Sequence, residues 1–302
     1  MLKINGRTHS EAMHLLSLAL QAEGGKDETL FKFDEIRKVL EKADYDELPN
    51  LDGFRLPKNN LAGFSNSDVG YLNTILPWSS YLVDHDGRTF GNMYNSEKRA
   101  TPERLNDPRI DRLANFVEDP SSKQVIEYGC FEGNHSAQLC QAFGSVLAID
   151  GRIENCVKTL LRCWMLGLTP TVECLNLEEA ENLQQSDLCC HIGVLYHLSN
   201  ALPHLWEVLT KTSEILLLDT QVAKPEQINE NLNFNDQSFG VYRYIEKDIA
   251  FAPFAGMRAN AIWLTPETIK QIADQAGFAL LEEKVVEQRN GNRGRFYFKR
   301  RD

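Results

Sequence analysis

At 302 residues, with 42% apolar and 25% charged side chains, the chain can bury one substantial core, or one core with a smaller appended unit. Its net charge of -11 argues against the basic surface that grips nucleic acid, while leaving room for a local basic patch. No apolar run approaches a membrane span and no signal-peptide layout opens the chain, so a cytoplasmic protein is expected, with no membrane partner. The seven cysteines are scattered without a CxxC, which predicts reduced, mostly buried thiols.

Helical periodicity marks residues 9–22 and 28–43, with Leu15, Leu16, Leu18, Leu30, Phe31, Ile36 and Leu40 on the apolar faces. Residues 49–70 are rich in Asn, Gly, Pro and Ser and read as an irregular connector. Trp78, Tyr81, Phe90 and Tyr94 follow, then the basic stretch Lys98, Arg99, Arg104, Arg109 and Arg112, interleaved with acids. That stretch either attracts an anionic substrate or is a solvated helix face with i,i+4 pairs. Asp107-Pro108-Arg109 opens a helix running to about Glu118. Residues 1–120 are therefore expected to form a helical and irregular N-terminal extension that caps an acceptor site.

From 124 onward strands and helices alternate, which predicts an α/β domain over 121–302, its sheet covered on both faces. Strands are expected at 124–128, 145–149, 171–174, 187–192 and 214–219, and helices at 135–143, 153–166, 201–211 and 266–276. Two late β-type runs, 279–287 and 294–299, would close the sheet as an antiparallel pair. Residues 222–263 interrupt this rhythm with many aromatic side chains and read as a structureless, lid-like insertion.

The most informative stretch is Glu127-Tyr128-Gly129-Cys130-Phe131-Glu132-Gly133, between the first strand and first helix of that domain. A second strand then ends on Asp150. Strand, glycine turn, helix, strand and acid are the layout by which Rossmann-like sheets hold an adenosine-bearing ligand. Gly129 and Gly133 would let the backbone approach that ligand, and Asp150 would accept both ribose hydroxyl protons. The spacing is Glu-x-Gly-x-x-x-Gly, not Gly-x-Gly-x-x-Gly. Carboxylates at 127 and 132 would repel a pyrophosphate and welcome a cationic sulfonium or amino group.

This pattern resembles motif I of the class I S-adenosylmethionine-dependent methyltransferases. The resemblance implies a Rossmann-like class I methyltransferase fold, with a mostly parallel seven-stranded sheet and helices on both faces, plus the N-terminal helical extension. It implies S-adenosylmethionine as cofactor and S-adenosylhomocysteine as product, with no metal. Glu127, Gly129 and Gly133 would shape the methionine end, and Cys130 and Phe131 would line the loop. Asp150, followed by Gly151 and Arg152, would hold the ribose. Asn176, with Leu177, would lie beside the adenine amino group or be a solvent-facing loop residue, and Gly193 ends the fourth strand at the cofactor edge.

After that strand comes Gly193-Val194-Leu195-Tyr196-His197 and, further on, Leu202-Pro203-His204-Leu205. These runs resemble the wobble-uridine tRNA methyltransferase-like group, with similarity over roughly 124–286. Members of that group use a carboxylated cofactor gripped by added basic and tyrosine side chains. Tyr196 could match the tyrosine, and Lys98, Arg99 and Arg258 are candidates for the basic partner.

An oxygen or nitrogen nucleophile attacking a methyl group needs a proton acceptor, and His197 is the candidate base; a structural histidine is the alternative. Tyr196 lines the transfer site, since a phenol is mostly protonated at neutral pH. Asp219 ends the fifth strand and either orients the acceptor or caps a loop. Trp78, Tyr81, Tyr196, Tyr242 and Arg258 form the candidate substrate set. The resulting expectation is methyl transfer to an oxygen or nitrogen of a small metabolite. The alternatives are a tRNA wobble-uridine (carboxy)methyltransferase, disfavoured by net charge, and a cofactor-binding subunit without turnover. A helical N-terminal extension is also compatible with a homodimer.

Overall fold

A computed structural model of the chain describes residues 54–56, 78, 82–83, 89–90, 107–180, 182–246, 255–288 and 291–301. The helices expected at 9–22 and 28–43, and Tyr81, Tyr94, Lys98, Arg99 and Arg104, lie outside the described residues.

Three short strands come first: β1 (Phe54–Leu56), β2 (Leu82–Val83) and β3 (Thr89–Phe90). Then follow α1 (Pro108–Ala114), β4 (Gln124–Tyr128), α2 (Asn134–Ala142), β5 (Ser145–Asp150), α3 (Ile153–Met165), β6 (Thr171–Cys174) and β7 (Ser186–Ile192). A single 3-10 turn, Leu195–His197, leads into α4 (Ala201–Lys211) and β8 (Thr212–Val222). The chain continues through β9 (Glu230–Phe234), β10 (Gln237–Ile245), β11 (Asn260–Leu264), α5 (Pro266–Gln275), β12 (Phe278–Gln288) and β13 (Gly291–Arg300). All seven strands and four helices expected between 124 and 299 are present with small boundary shifts. The helix after Asp107 ends at Ala114, earlier than expected.

The chain divides into two compact units. The first comprises Met1–Asp111, Cys130–Ala142 and Val146–Leu175. Here β5 and β6 pair in parallel, and β1 adds antiparallel to β6, with Phe54 opposite Cys174. Residues 54–56 are thus a strand and not part of a connector. The core of this unit comes from Leu147, Ala148 and Ile149 of β5 and from Cys156, Leu160, Leu161 and Cys163 of α3. The second unit comprises Arg112–Gly129, Phe143–Ser145 and Asn176–Asp302. In it β4, β7 and β8 are parallel, while β13 and β12 follow antiparallel. Leu188, Cys189 and Cys190 of β7 and Leu216, Leu217 and Leu218 of β8 are buried on both faces, as parallel strands require. These pairings are those of a Rossmann-like α/β fold.

Within the segment expected to be structureless, the described residues form a three-stranded antiparallel sheet, β9-β10-β11. Its first hairpin turns on Asn235 and Asp236, both at positive φ (47° and 58°), the backbone that a two-residue type I′ turn demands. Phe239 and Val241 of β10 are buried on one face, while β11 is buried on both, through Ile262 and Leu264 on one side and Ala261 and Trp263 on the other. Six of the seven cysteines are buried and all are free thiols. No helix among the described residues is long and apolar enough to cross a membrane.

Candidate functional site

The glycine turn adopts the conformation its residues require, although its close approaches are to protein. Gly133 sits at φ 80°, and a Cβ there would lie 2.7 Å from Thr159 Cα on α3. Thr159 Oγ1 also donates to Phe131 O at 3.1 Å, which ties the turn down to that helix. Gly129, at φ 78°, would drive a Cβ to within 1.8 Å of Val194. Both positions exclude other residues through internal packing as well as through backbone sign.

Glu132 does not face outward as a cofactor-attracting carboxylate. It is buried and forms ion pairs with Lys158 (3.3 Å) and Arg162 (3.9 Å) of α3. Trp78 is buried as well, with Lys158 Nζ 5.9 Å and Arg162 Cζ 5.4 Å from its ring centre. Trp78 therefore packs against the two cations of α3. Glu127 is buried near the end of β4.

Asp150 ends β5 as expected, and three protein donors already converge on it. Its Oδ1 accepts from the Arg152 N–H (2.9 Å) and from Asn155 Nδ2 (3.1 Å), and its Oδ2 accepts from the Phe131 N–H (3.0 Å). A carboxylate has about four acceptor sites, so one remains, on Oδ2. The carboxylate therefore has room for one ribose hydroxyl, not for both as expected. Burial pushes its carboxyl pKa up, opposed by these hydrogen bonds. Gly151 O accepts from Cys174 Sγ at 3.8 Å, holding the residue after the acid in place.

In the second unit, Asn176 Oδ1 accepts from the Glu178 N–H (3.1 Å), and Leu177 O accepts from Asn200 Nδ2 (3.1 Å). The Asn176 oxygen is thus engaged in its own turn. Gly193, at φ 83°, donates its N–H to Asp219 O at 2.8 Å. Among the described residues no group of three or more His, Cys, Asp or Glu side chains could hold a metal ion.

Asp219 is not available to orient an acceptor. It is buried, and its two carboxylate oxygens accept from Arg293 Nε (2.5 Å) and Arg295 Nε (3.0 Å), both on β13. Register explains the pair, because Arg295 lies opposite Asp219 and Arg293 is two residues along on the same face. Two arginines against one carboxylate leave a net positive charge. The Arg293 guanidinium carbon lies 5.0 Å above the Tyr196 ring. Arg258, one of three candidates for the basic partner of Tyr196, is exposed and ion-paired with Glu179. Arg293 was not among the candidates Lys98, Arg99 and Arg258, of which the first two lie outside the described residues. Its only signal in the sequence was its spacing from Arg295 on a strand.

His197 follows Tyr196 in the 3-10 turn, and its Nδ1 lies 2.6 Å from Glu246 Oε1. Tyr196, Tyr242 and Tyr244 pack around Trp263, with Tyr244 stacked on it at 4.8 Å. The expected substrate residues Tyr196 and Tyr242 therefore belong to one aromatic cluster. The structure thus provides a partnered imidazole, an aromatic wall and a cation beside Tyr196, all within one unit.

No protein-family model matches the chain. A protein of Marinobacter nauticus named tRNA U34 carboxymethyltransferase is 26% identical over 162 residues, 51% of this chain and 46% of that one. A protein of the same name from Cronobacter sakazakii is 24% identical over 234 residues, 67% of each chain. The chain thus spans about half the length of the first relative and about two thirds of the second. Among solved structures, the N-terminal domain of EvdMO1 with SAH bound matches at a TM-score of 0.56 and 17% identity, over 75% of this chain and 92% of that one. The same domain with SAH and D-fucose matches at a TM-score of 0.54. The chain has the Rossmann-like fold of class I S-adenosylmethionine-dependent methyltransferases.

Proposed function

We propose that the chain is an S-adenosylmethionine-dependent methyltransferase acting on an oxygen or nitrogen nucleophile of a small molecule. The observation that carries this reading is the Cys130–Gly133 turn closed onto Asp150 by the Phe131 N–H, with one acceptor site left on the acid. That arrangement fits a ribose hydroxyl at the carboxyl end of a parallel strand, where open α/β sheets bind their ligands. When bound, the cofactor supplies an electrophilic methyl group on a sulfonium sulfur. His197 would take the proton that the acceptor loses, and Tyr196 and Tyr242 would present aromatic surface to the acceptor.

Calorimetry of the unmodified protein with S-adenosylhomocysteine tests the cofactor half, and absence of binding overturns it. Transfer of a labelled methyl group from S-adenosylmethionine to members of a mixed pool of small alcohols, phenols and amines tests the rest.

A second reading, carboxymethyl transfer to a tRNA wobble uridine, is supported by Arg293 above Tyr196. A cation and a tyrosine together suit a carboxylated cofactor, and the two bacterial relatives carry that activity in their names. Arg293→Ala would then weaken binding of the carboxylated cofactor by about tenfold or more and spare the ordinary one. Tight, steeply salt-dependent tRNA binding would favour this reading over the first.

A further inference from the structure

The Tyr196–His197 turn is held from outside its own stretch of chain, and several of those contacts come from the antiparallel insertion. The Ile262 N–H donates to Leu198 O at 2.8 Å, and Trp263 Nε1–H donates to Tyr196 O at 2.9 Å. Gly256 lies so close that a Cβ would be 2.5 Å from the His197 carbonyl oxygen. Glu246 completes the set at 2.6 Å from His197 Nδ1. Its backbone is fixed too, since its N–H donates to Ala259 O at 2.9 Å just beyond the Ile245–Asn260 pair of β10 and β11. The Tyr196 ring, 4.1 Å from the imidazole centre, limits reorientation on the other side.

We propose that Glu246 is the positioning residue for His197, and that the β9-β10-β11 insertion aims the base at the acceptor. This rests on the methyl-transfer reading. In this arrangement the Glu246 carboxylate accepts from Nδ1–H, which leaves the ring's lone pair on Nε2. The step then balances. The acceptor oxygen or nitrogen forms a bond to the methyl carbon as the carbon–sulfur bond breaks, and the electron pair of that bond returns to sulfur as a neutral thioether. The acceptor proton passes to Nε2, and the imidazolium that results is stabilised by Glu246 until it returns the proton to water. Glu246 touches no reacting atom in this scheme; it acts through orientation, tautomer and charge, as the carboxylate of a Ser-His-Asp triad does.

The test compares Glu246→Ala, Glu246→Gln and Gly256→Ala with the native chain in three measurements. Glu246→Ala should lower kcat roughly 100-fold or more, the scale of general-base catalysis, and leave S-adenosylhomocysteine affinity within about twofold. Glu246→Gln keeps an acceptor for Nδ1–H without the charge and should fall between. Gly256→Ala should lower kcat about tenfold through displacement of the His197 backbone, again with cofactor affinity retained. Imidazole 15N spectra supply the readout that a merely structural role would not move. Native His197 should show protonated Nδ1 and unprotonated Nε2, and Glu246→Ala should shift it to a mixture of tautomers. Unchanged kcat in Glu246→Ala, or a native His197 protonated at Nε2, overturns the proposal. The spectra separate this outcome from failure of the methyl-transfer reading, because the tautomer is read without cofactor or acceptor.

Discussion

Replacing Asp150 with Asn is the sharpest probe of the proposed cofactor site, because the surrounding donors dictate how an amide must sit. Two donors, the Arg152 N–H and Asn155 Nδ2, converge on Oδ1, and only the Phe131 N–H reaches Oδ2. An asparagine at 150 would place its oxygen where two donors wait and turn its NH2 toward Phe131 and the remaining acceptor site. That site then donates where the native residue accepts, and the ribose hydroxyl loses its charged partner. A hydrogen bond to a charged group contributes about 1.5–3 kcal/mol, or roughly a 10- to 150-fold loss of affinity. Phe131 N–H now faces another donor, so the turn should also lose about 1 kcal/mol or more of local stability. Calorimetry with S-adenosylhomocysteine, beside a thermal melt, reads both quantities. A variant that melts normally and binds within twofold of the native chain would refute the assignment of Asp150 to the ribose.

Two further outcomes follow from the packing. His191 and His204 are buried with their Nε2 atoms 3.0 Å apart, and burial holds His191 down at about 4 and His204 well below its usual value. Because the folded state resists protons that the unfolded chain binds, stability should fall as pH drops below about 6.5, by about 2 kcal/mol at pH 5 for His191 alone. Denaturant midpoints at pH 7, 6 and 5 should show this slope, and the double replacement His191→Leu/His204→Leu should flatten it. Equal slopes in both proteins would show that other groups control acid sensitivity. Gly133→Ala combines a left-handed backbone with contact against Thr159, and should destabilise the chain by about 2 kcal/mol or more. An unchanged melting temperature would mean that the turn is looser than the structure shows.

The alternation of strand and helix from Gln124 to Arg300 was legible because each element carries its own hydrophobic period and its own stop. The same holds for the glycine turn, whose spacing is local. What escaped was register. Asp219 reads as a free acid at a strand end until β13 places Arg293 and Arg295, more than seventy residues away, on its oxygens. Glu246 lies 49 residues from His197 and meets it only because β10 and β11 pair and fold back over the turn. The insertion itself held a usable signal, the Asn235–Asp236 dipeptide between alternating runs, but its break from the strand–helix rhythm read as a structureless lid. Glu132 shows the opposite error: its place in the loop was read correctly, while the direction of its side chain depended on Lys158 and Arg162 of a later helix.

On the proposed function, the network around Asp150 also bears on how a cofactor would arrive. The amides of Phe131 and Arg152 both donate to this carboxylate, so the chain's own hydrogen bonds hold the loop against the acid. Those two amides should therefore exchange slowly with solvent in the free protein and change little on binding. The ordering entropy that a collapsing loop would lose is absent, which favours rapid capture over a slow closing step.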